Sequence, residues 1–291
     1  MKQSVRATNF SGSWYPDSGL DDVIEDLLGN VSNDDTVPAK IIISPHAGYS
    51  YSAQTAAYGF SKLNTDVETI FVLAPNHRAS LVTVSITPSD FVETPIGNIP
   101  VDKDVRSELL DTGLFNELSP FQDTNEHSHE LQFPFLKHLM NKTQTDFKIL
   151  PMLVPSLQSG KLEDVANALL PYFESNKFAF VISSDFCHYG KAFGYVLPAS
   201  KTKDQPLHKA IEELDLRGAA TIGSGYDAFY QYITETENTI CGRNPILVML
   251  KTIKISSKEG EWKVLNYSQS NPCRNNFDRS VSYCSMAFFE E

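Results

Sequence analysis

Apolar residues come in short blocks along the 291 residues of this chain, and the spacing inside each block predicts an element. Over 18–31, Leu20, Val23, Ile24, Leu27 and Leu28 recur three and four apart, the stripe of an amphipathic helix. A loop with Asp34, Asp35 and Pro38 leads to an unbroken apolar run at 40–44, which reads as a buried strand. Residues 51–63, rich in alanine and aromatics, predict a helix, and 70–74 a second buried strand. Strand, helix, strand is the crossover unit of a parallel sheet. Alternation over 82–86 predicts another strand, 90–101 a hairpin around Pro95 to Asn98, and 102–110 a helix. After a polar loop, a helix is expected over 131–141, where Pro134 is tolerable only in the first turn. Strand 147–154, helix 161–174 and strand 178–184 continue the alternation. Helices follow at 204–221, 226–236 and 246–253, and strands at 262–267 and 280–289. No repeat, low-complexity linker or composition break divides the chain, so one α/β domain is expected.

Chemistry gathers where the apolar runs stop. The run at 41–44 ends in Pro45 and His46, and the run from Phe71 ends in Pro75, Asn76 and His77. The run from Phe178 ends in Ser183, Ser184, Asp185, Phe186, Cys187 and His188. In open α/β sheets the ligand crevice lies beyond the carboxyl ends of the strands. Three such ends carrying imidazoles predict one shared site, with His46 and His77 as candidate metal ligands.

Cys241 is the natural third ligand. It precedes Gly242 and a helix start, where backbone amides and the helix dipole are expected to favour its thiolate. Asp185 lies three residues before His188 and is expected either to hold its tautomer or to stabilise its protonated form, making His188 a general acid/base. Cys187, between them, should point the other way. Glu126, His127, His129 and Glu130 form the densest ionisable cluster, with His127 and Glu130 as candidates for the cleft. The cluster lacks the second histidine of an HExxH zinc motif. Trp14 and Tyr15, in a turn bracketed by Gly12 and Pro16, either pack on the body or wall the cleft.

Composition narrows the classes. A net charge of −12 argues against a general nucleic-acid binder. No apolar run approaches the roughly 20 residues of a membrane helix. The first ten residues lack the apolar core of a signal peptide, which points to the cytoplasm, with the nucleus also open. Cys187, Cys241, Cys273 and Cys284 form no CxxC pair and are expected as free thiols or metal ligands. No GxSxG elbow or phosphate loop occurs, and the Gly223-Ser-Gly225 fragment follows a helical segment rather than a strand. A serine hydrolase, an NTPase and a nicotinamide enzyme are therefore disfavoured.

Read together, Gly12 to Tyr15, Pro45 to Tyr51, Pro75 to His77, Thr94 to Gly97, Glu126 to Ser128 with Glu130 to Pro134, Ser183 to His188, Thr239 to Gly242 and Tyr267 to Ser270 resemble the Memo family, named for a mediator of ErbB-driven cell motility. The motifs span nearly the whole chain. The resemblance implies a single α/β domain similar to the class III extradiol non-haem iron dioxygenases, with a mixed, largely parallel sheet and helices on both faces. It implies His46, His77 and Cys241 as ligands for copper or iron, zinc being less favoured. It implies Asp185 and His188 in the same cleft, and Trp14 and Tyr51 as aromatic positions for a bound peptide. Two departures stand out. A thiolate replaces the dioxygenase carboxylate, which disfavours ring cleavage. Arg78 stands where the family often has a second histidine, offering a cation to anionic ligands. The resemblance thus implies a copper- or iron-dependent redox protein linked to motility signalling, acting on a small molecule that the sequence does not name. The alternative is a non-catalytic module holding a phosphotyrosine-type peptide of a signalling partner.

Overall fold

The computed structural model describes residues 3–31, 37–198 and 205–291. The expected loop at Asp34 and Asp35, and the expected helix start at 204, lie outside the described residues.

The strands are β1 (Val5–Arg6), β2 (Ile41–Ser44), β3 (Thr69–Pro75), β4 (Ser85–Ile86), β5 (Phe91–Val92), β6 (Ile99–Pro100), β7 (Asn116–Glu117), β8 (Lys148–Val154), β9 (Phe178–Ser183), β10 (His188–Tyr189), β11 (Gly260–Gln269) and β12 (Ser280–Glu290). The helices are α1 (Leu20–Gly29), α2 (Tyr49–Phe60), α3 (Lys103–Asp111), α4 (Pro120–Asn125), α5 (Phe133–Thr143), α6 (Ser159–Glu174), α7 (Leu207–Gly223), α8 (Tyr226–Thr236) and α9 (Arg243–Ile255). The main sheet runs β10-β12-β2-β9-β3-β8-β4-β7, with β11 paired to β12, and β1-β5-β6 form a small second sheet. The centre, β2-β9-β3-β8, is parallel, while β12 and β4 run antiparallel against it. The sheet is therefore mixed around a parallel core.

The parallel strands are buried along their length, which explains why they read as continuous apolar runs instead of alternating ones. Side-chain alternation then assigns the layers. Ile42 meets α2, where a Cβ on Gly59 would lie 3.5 Å from its Cδ1. Phe180, paired with the neighbouring Ile41, faces the other way, stacks on Phe71 at 5.0 Å and meets Phe173 of α6. Helices thus cover both faces, and one core cluster runs from Phe10 to Phe289.

Three differences from the sequence reading have local causes. The strand expected at 82–86 shrinks to Ser85–Ile86, because Val82 is exposed and Thr83 spends its hydroxyl on Leu114 O. The polar stretch before residue 125 contains α4, stabilised by a reciprocal capping box between Ser119 and Gln122. The helix expected at 246 starts at Arg243, where Pro245 occupies the first turn and needs no helical donor. Elsewhere the expected elements are present, with Pro134 in the first turn of α5 and Asp102 capping α3.

Candidate metal centre

Because β2, β3 and β9 are parallel neighbours, their carboxyl ends reach the same edge, and one segment binds all three together. Gln132 Nε2 donates to Pro45 O (3.0 Å) beyond β2 and to Ser183 Oγ (2.9 Å) at the end of β9. Ser128 Oγ donates to Pro75 O (2.9 Å) at the end of β3, and Ser183 Oγ donates to Ser128 O (2.6 Å). Residues 128–132 therefore fix the spacing of the strand ends that carry His46, His77 and Asp185.

The same bonds fix the rings. Ser183 has one hydroxyl proton and gives it to Ser128 O, so toward His46 Nδ1 (2.8 Å) it accepts. His46 is thereby protonated on Nδ1, and its Nε2 lone pair faces Cys241 Sγ at 3.2 Å. Glu126 does the equivalent for His77. Its Oε1 accepts from His77 Nδ1 (2.9 Å), its Oε2 from His77 N (2.8 Å), and Oε1 also from Ser128 N (3.1 Å). Burial pushes the Glu126 carboxyl up, but the bond from His77 and the nearby His77 and His127 rings outweigh it and hold it well below the usual range. An ionised Glu126 only accepts, so His77 also presents Nε2 as its free donor atom. A ring nitrogen anchored to a carboxylate or hydroxyl, with the other left open, is the pattern of metal-ligating histidines.

The structure adds a third imidazole. Donor atoms of His46, His77 and His127 all lie within 4.8 Å of one another, which no other three metal-ligating side chains among the described residues do. His77 and His127 stack with centroids 4.6 Å apart, and Trp14 lies over His127 at 4.7 Å. Burial, then the mutual repulsion of these rings, drives His46 well below the ordinary imidazole range. Burial also takes His127 down to about 4, against the pull of Glu126. Both rings are neutral at physiological pH, the form that binds metals.

Trp14, His46, His77, Arg78, His127, Asp185 and His188 all border one cavity of about 460 Å3. Ala47, Phe193 and Val281, which the sequence did not single out as site residues, complete its wall. Cys241 does not border this cavity; it borders a second groove of about 590 Å3, which His77 shares, and its Sγ approaches the first site at His46 Nε2, 3.2 Å away. Trp14 packs edge-on against Phe10 and also walls the cleft, so both of its expected roles are met.

Several expectations change. His188 Nδ1 faces two carbonyls, Phe186 O (3.0 Å) and Thr239 O (3.2 Å), so these and not Asp185 set its tautomer. That leaves His188 Nε2 as the basic atom. Asp185 instead accepts the amide of His46 (2.8 Å); burial pushes its carboxyl up while the neighbouring His188 pulls it down. Cys241 does not favour thiolate without a cation: burial and then Asp185 push its thiol well up, outweighing the amides beside it. Its Sγ accepts from Asp185 N (3.2 Å). Glu130 is not in the cleft. It is fully buried and binds Arg6, Asn9 N, Phe10 N and Tyr15 OH, fastening the N-terminal segment. Tyr51 does not border the cavity either. A helical residue advances about 100°, so Tyr51 points away from the inward Tyr49, and it is 63% exposed. Cys187 is buried in a separate apolar cluster, as expected. His129 is spent on Asp123 at 2.8 Å.

Glu126, Ser183 and Gln132 were not expected as site residues. Only Glu126 left a trace, by standing beside His127.

The chain is similar to known proteins along nearly its whole length. The model of the Memo-like protein family matches residues 6–287. A Caenorhabditis elegans relative, "Protein memo-1 homolog", is 37% identical over 295 aligned positions, covering 99% of this chain and 83% of that protein. Human "Protein MEMO1" is 35% identical over 289 positions, covering 97% and 96%. The zebrafish (Danio rerio) protein of the same name is 34% identical with the same coverage.

Proposed function

We propose a metal-centred function for this chain from a premise the comparisons establish: the chain belongs to the Memo-like family. The protein binds copper or iron through His46, His77 and Cys241 and works as a redox protein in the cytoplasm or nucleus, connected to motility signalling. The observation that supports this most is the pair of Nε2 atoms left open by Ser183 and Glu126, with Cys241 Sγ 3.2 Å from one of them. The donor set fits the group. Imidazoles and a soft sulfur suit copper and iron and are poorly suited to magnesium or calcium. A bound ion would supply one-electron chemistry toward dioxygen or a reduced oxygen species.

The chain's own residues do the rest. Ser183 and Glu126 orient the two rings, each bonded at Nδ1 so that Nε2 is left open. His188 presents Nε2 to the cavity as a proton acceptor, with Nδ1–H fixed by the Phe186 and Thr239 carbonyls. Trp14 and Phe193 narrow the approach of water. Ring cleavage is not part of the proposal, because the thiol stands where a hard carboxylate would be needed.

Protein purified without added metal is expected to carry copper or iron by elemental analysis, and Cys241→Ser to lose at least about tenfold in affinity. Wild-type protein that takes up neither metal on reconstitution would rule the function out.

A second reading has its own support: Arg78 is exposed at the border of a cavity walled by Trp14. In it the cleft holds a phosphotyrosine-type segment of a signalling partner, the arginine pairing with phosphate and the indole stacking on the ring. Titration with a phosphotyrosine peptide should then show binding that Trp14→Ala and Arg78→Ala each weaken about tenfold. No binding at millimolar peptide would remove this reading.

A further inference from the structure

Packing holds the His127 ring in the cleft but leaves one of its polar atoms unexplained. Its Nδ1 is buried and makes no hydrogen bond. It lies 3.2 Å from Glu126 Oε1, but that oxygen already takes His77 Nδ1 and Ser128 N. A buried polar atom without a partner costs free energy unless something else satisfies it. The ring is nevertheless held firmly, stacked on His77 at 4.6 Å and covered by Trp14 at 4.7 Å. Its donor atom lies within 4.8 Å of those of His46 and His77, where ligands about one four-coordinate ion with bonds of about 2.1 Å stand roughly 3.4 Å apart.

We propose that His127 is a further protein ligand, giving three nitrogens with Cys241 as the sulfur, and that Glu126 is the positioning residue for His77, the ring on which His127 stacks. The inference rests on the metal-centred function above and specifies its coordination. The three nitrogens form the close group, and Cys241, 3.2 Å from His46 Nε2, would supply the fourth donor on binding. Imidazoles then supply most of the donors, which favours divalent over monovalent copper at this site. Glu126 reaches His77 by two bonds and thereby fixes the ring on which His127 stacks at 4.6 Å.

Cobalt(II) is a suitable probe, because the intensity of its visible bands reports four-coordination and its sulfur charge-transfer band reports the thiolate. Wild-type protein should bind cobalt(II) with intense bands. His127→Gly should keep the sulfur band, lose band intensity and bind about 10–100-fold more weakly, and added imidazole should restore both intensity and affinity. Glu126→Gln should weaken binding about tenfold while leaving the band positions unchanged. If His127→Gly binds cobalt(II) with wild-type affinity and spectrum, the ligand role of His127 is overturned while the metal-centred function stands. If wild-type protein binds no cobalt(II), copper or iron, both fall together.

Discussion

Glu130→Ala is expected to destabilise the fold by about 3–5 kcal/mol, the range for removing one partner of a buried ion pair. Arg6 has no exposed side-chain surface, and its Nη1 sits 2.7 Å from Glu130 Oε2. Its Nη2 donates to the carbonyls of Asp123 and Glu126 at 3.0 Å each. Glu130 also accepts from Phe10 N and from Tyr15 OH, both at 2.8 Å. Truncation leaves an arginine, two amides and a phenol without this acceptor. The cost is set by stranded groups, so Glu130→Gln, which keeps an acceptor, should lose less than Glu130→Ala. The effect should reach the cleft, because the segment so fastened carries Trp14. Urea unfolding followed by tryptophan emission measures both. A loss below about 1 kcal/mol would show that Asp123, 3.4 Å from Arg6 Nε, compensates the charge by itself.

Gly242→Ala is the second large effect, and it acts on fold and site at once. The backbone of Gly242 is unstrained at φ −83°, so the need for glycine is one of space. A Cβ there would fall 2.7 Å from Ser183 O and closer still to Ser184 Cβ and Oγ. Backbone on one side and the end of β9 on the other leave no flexible tip to yield. The alanine protein should lose about 3 kcal/mol in thermal or urea unfolding, the upper part of the range for overpacking. It should also bind metal at least about tenfold more weakly, since Cys241 moves away from His46 and Ser183 from its ring. Gly160→Ala is the control: no atom lies within 4 Å of the added carbon, and alanine is the better helix former. Wild-type stability and metal affinity in Gly242→Ala would mean that the loop slides freely and that its contact with β9 does not position the cysteine.

Much of this architecture is readable before folding, for a definite reason. A parallel strand buried on both faces must be apolar at every position, so β2, β3, β8 and β9 announce themselves, and their ends are where polar residues first become possible. That rule led to His46, His77, Asp185 and His188. It says nothing about how far a side chain is from water or which partner it meets. The misreading of Cys241 follows directly. A helix start is visible in the sequence, but the burial and the Asp185 carboxylate that reverse its effect on the thiol come from residues 56 positions away. Glu130 was misplaced because adjacency to His127 and His129 looks like a shared site, whereas its partners lie at Arg6 to Tyr15. Tyr51 was misplaced by a single helical phase.

By itself, the sequence determined the α/β class, the parallel core and the edge at which imidazoles collect, because apolar period and strand direction are local properties. Only the tertiary structure decided which of those groups meet. Glu126 reaches His77 across 49 residues and Ser183 reaches His46 across 137, and such pairings leave no periodicity to read. The third imidazole, His127, comes within reach of the other two for the same reason: Ser128 and Gln132, just after it, fasten its segment to the three strand ends.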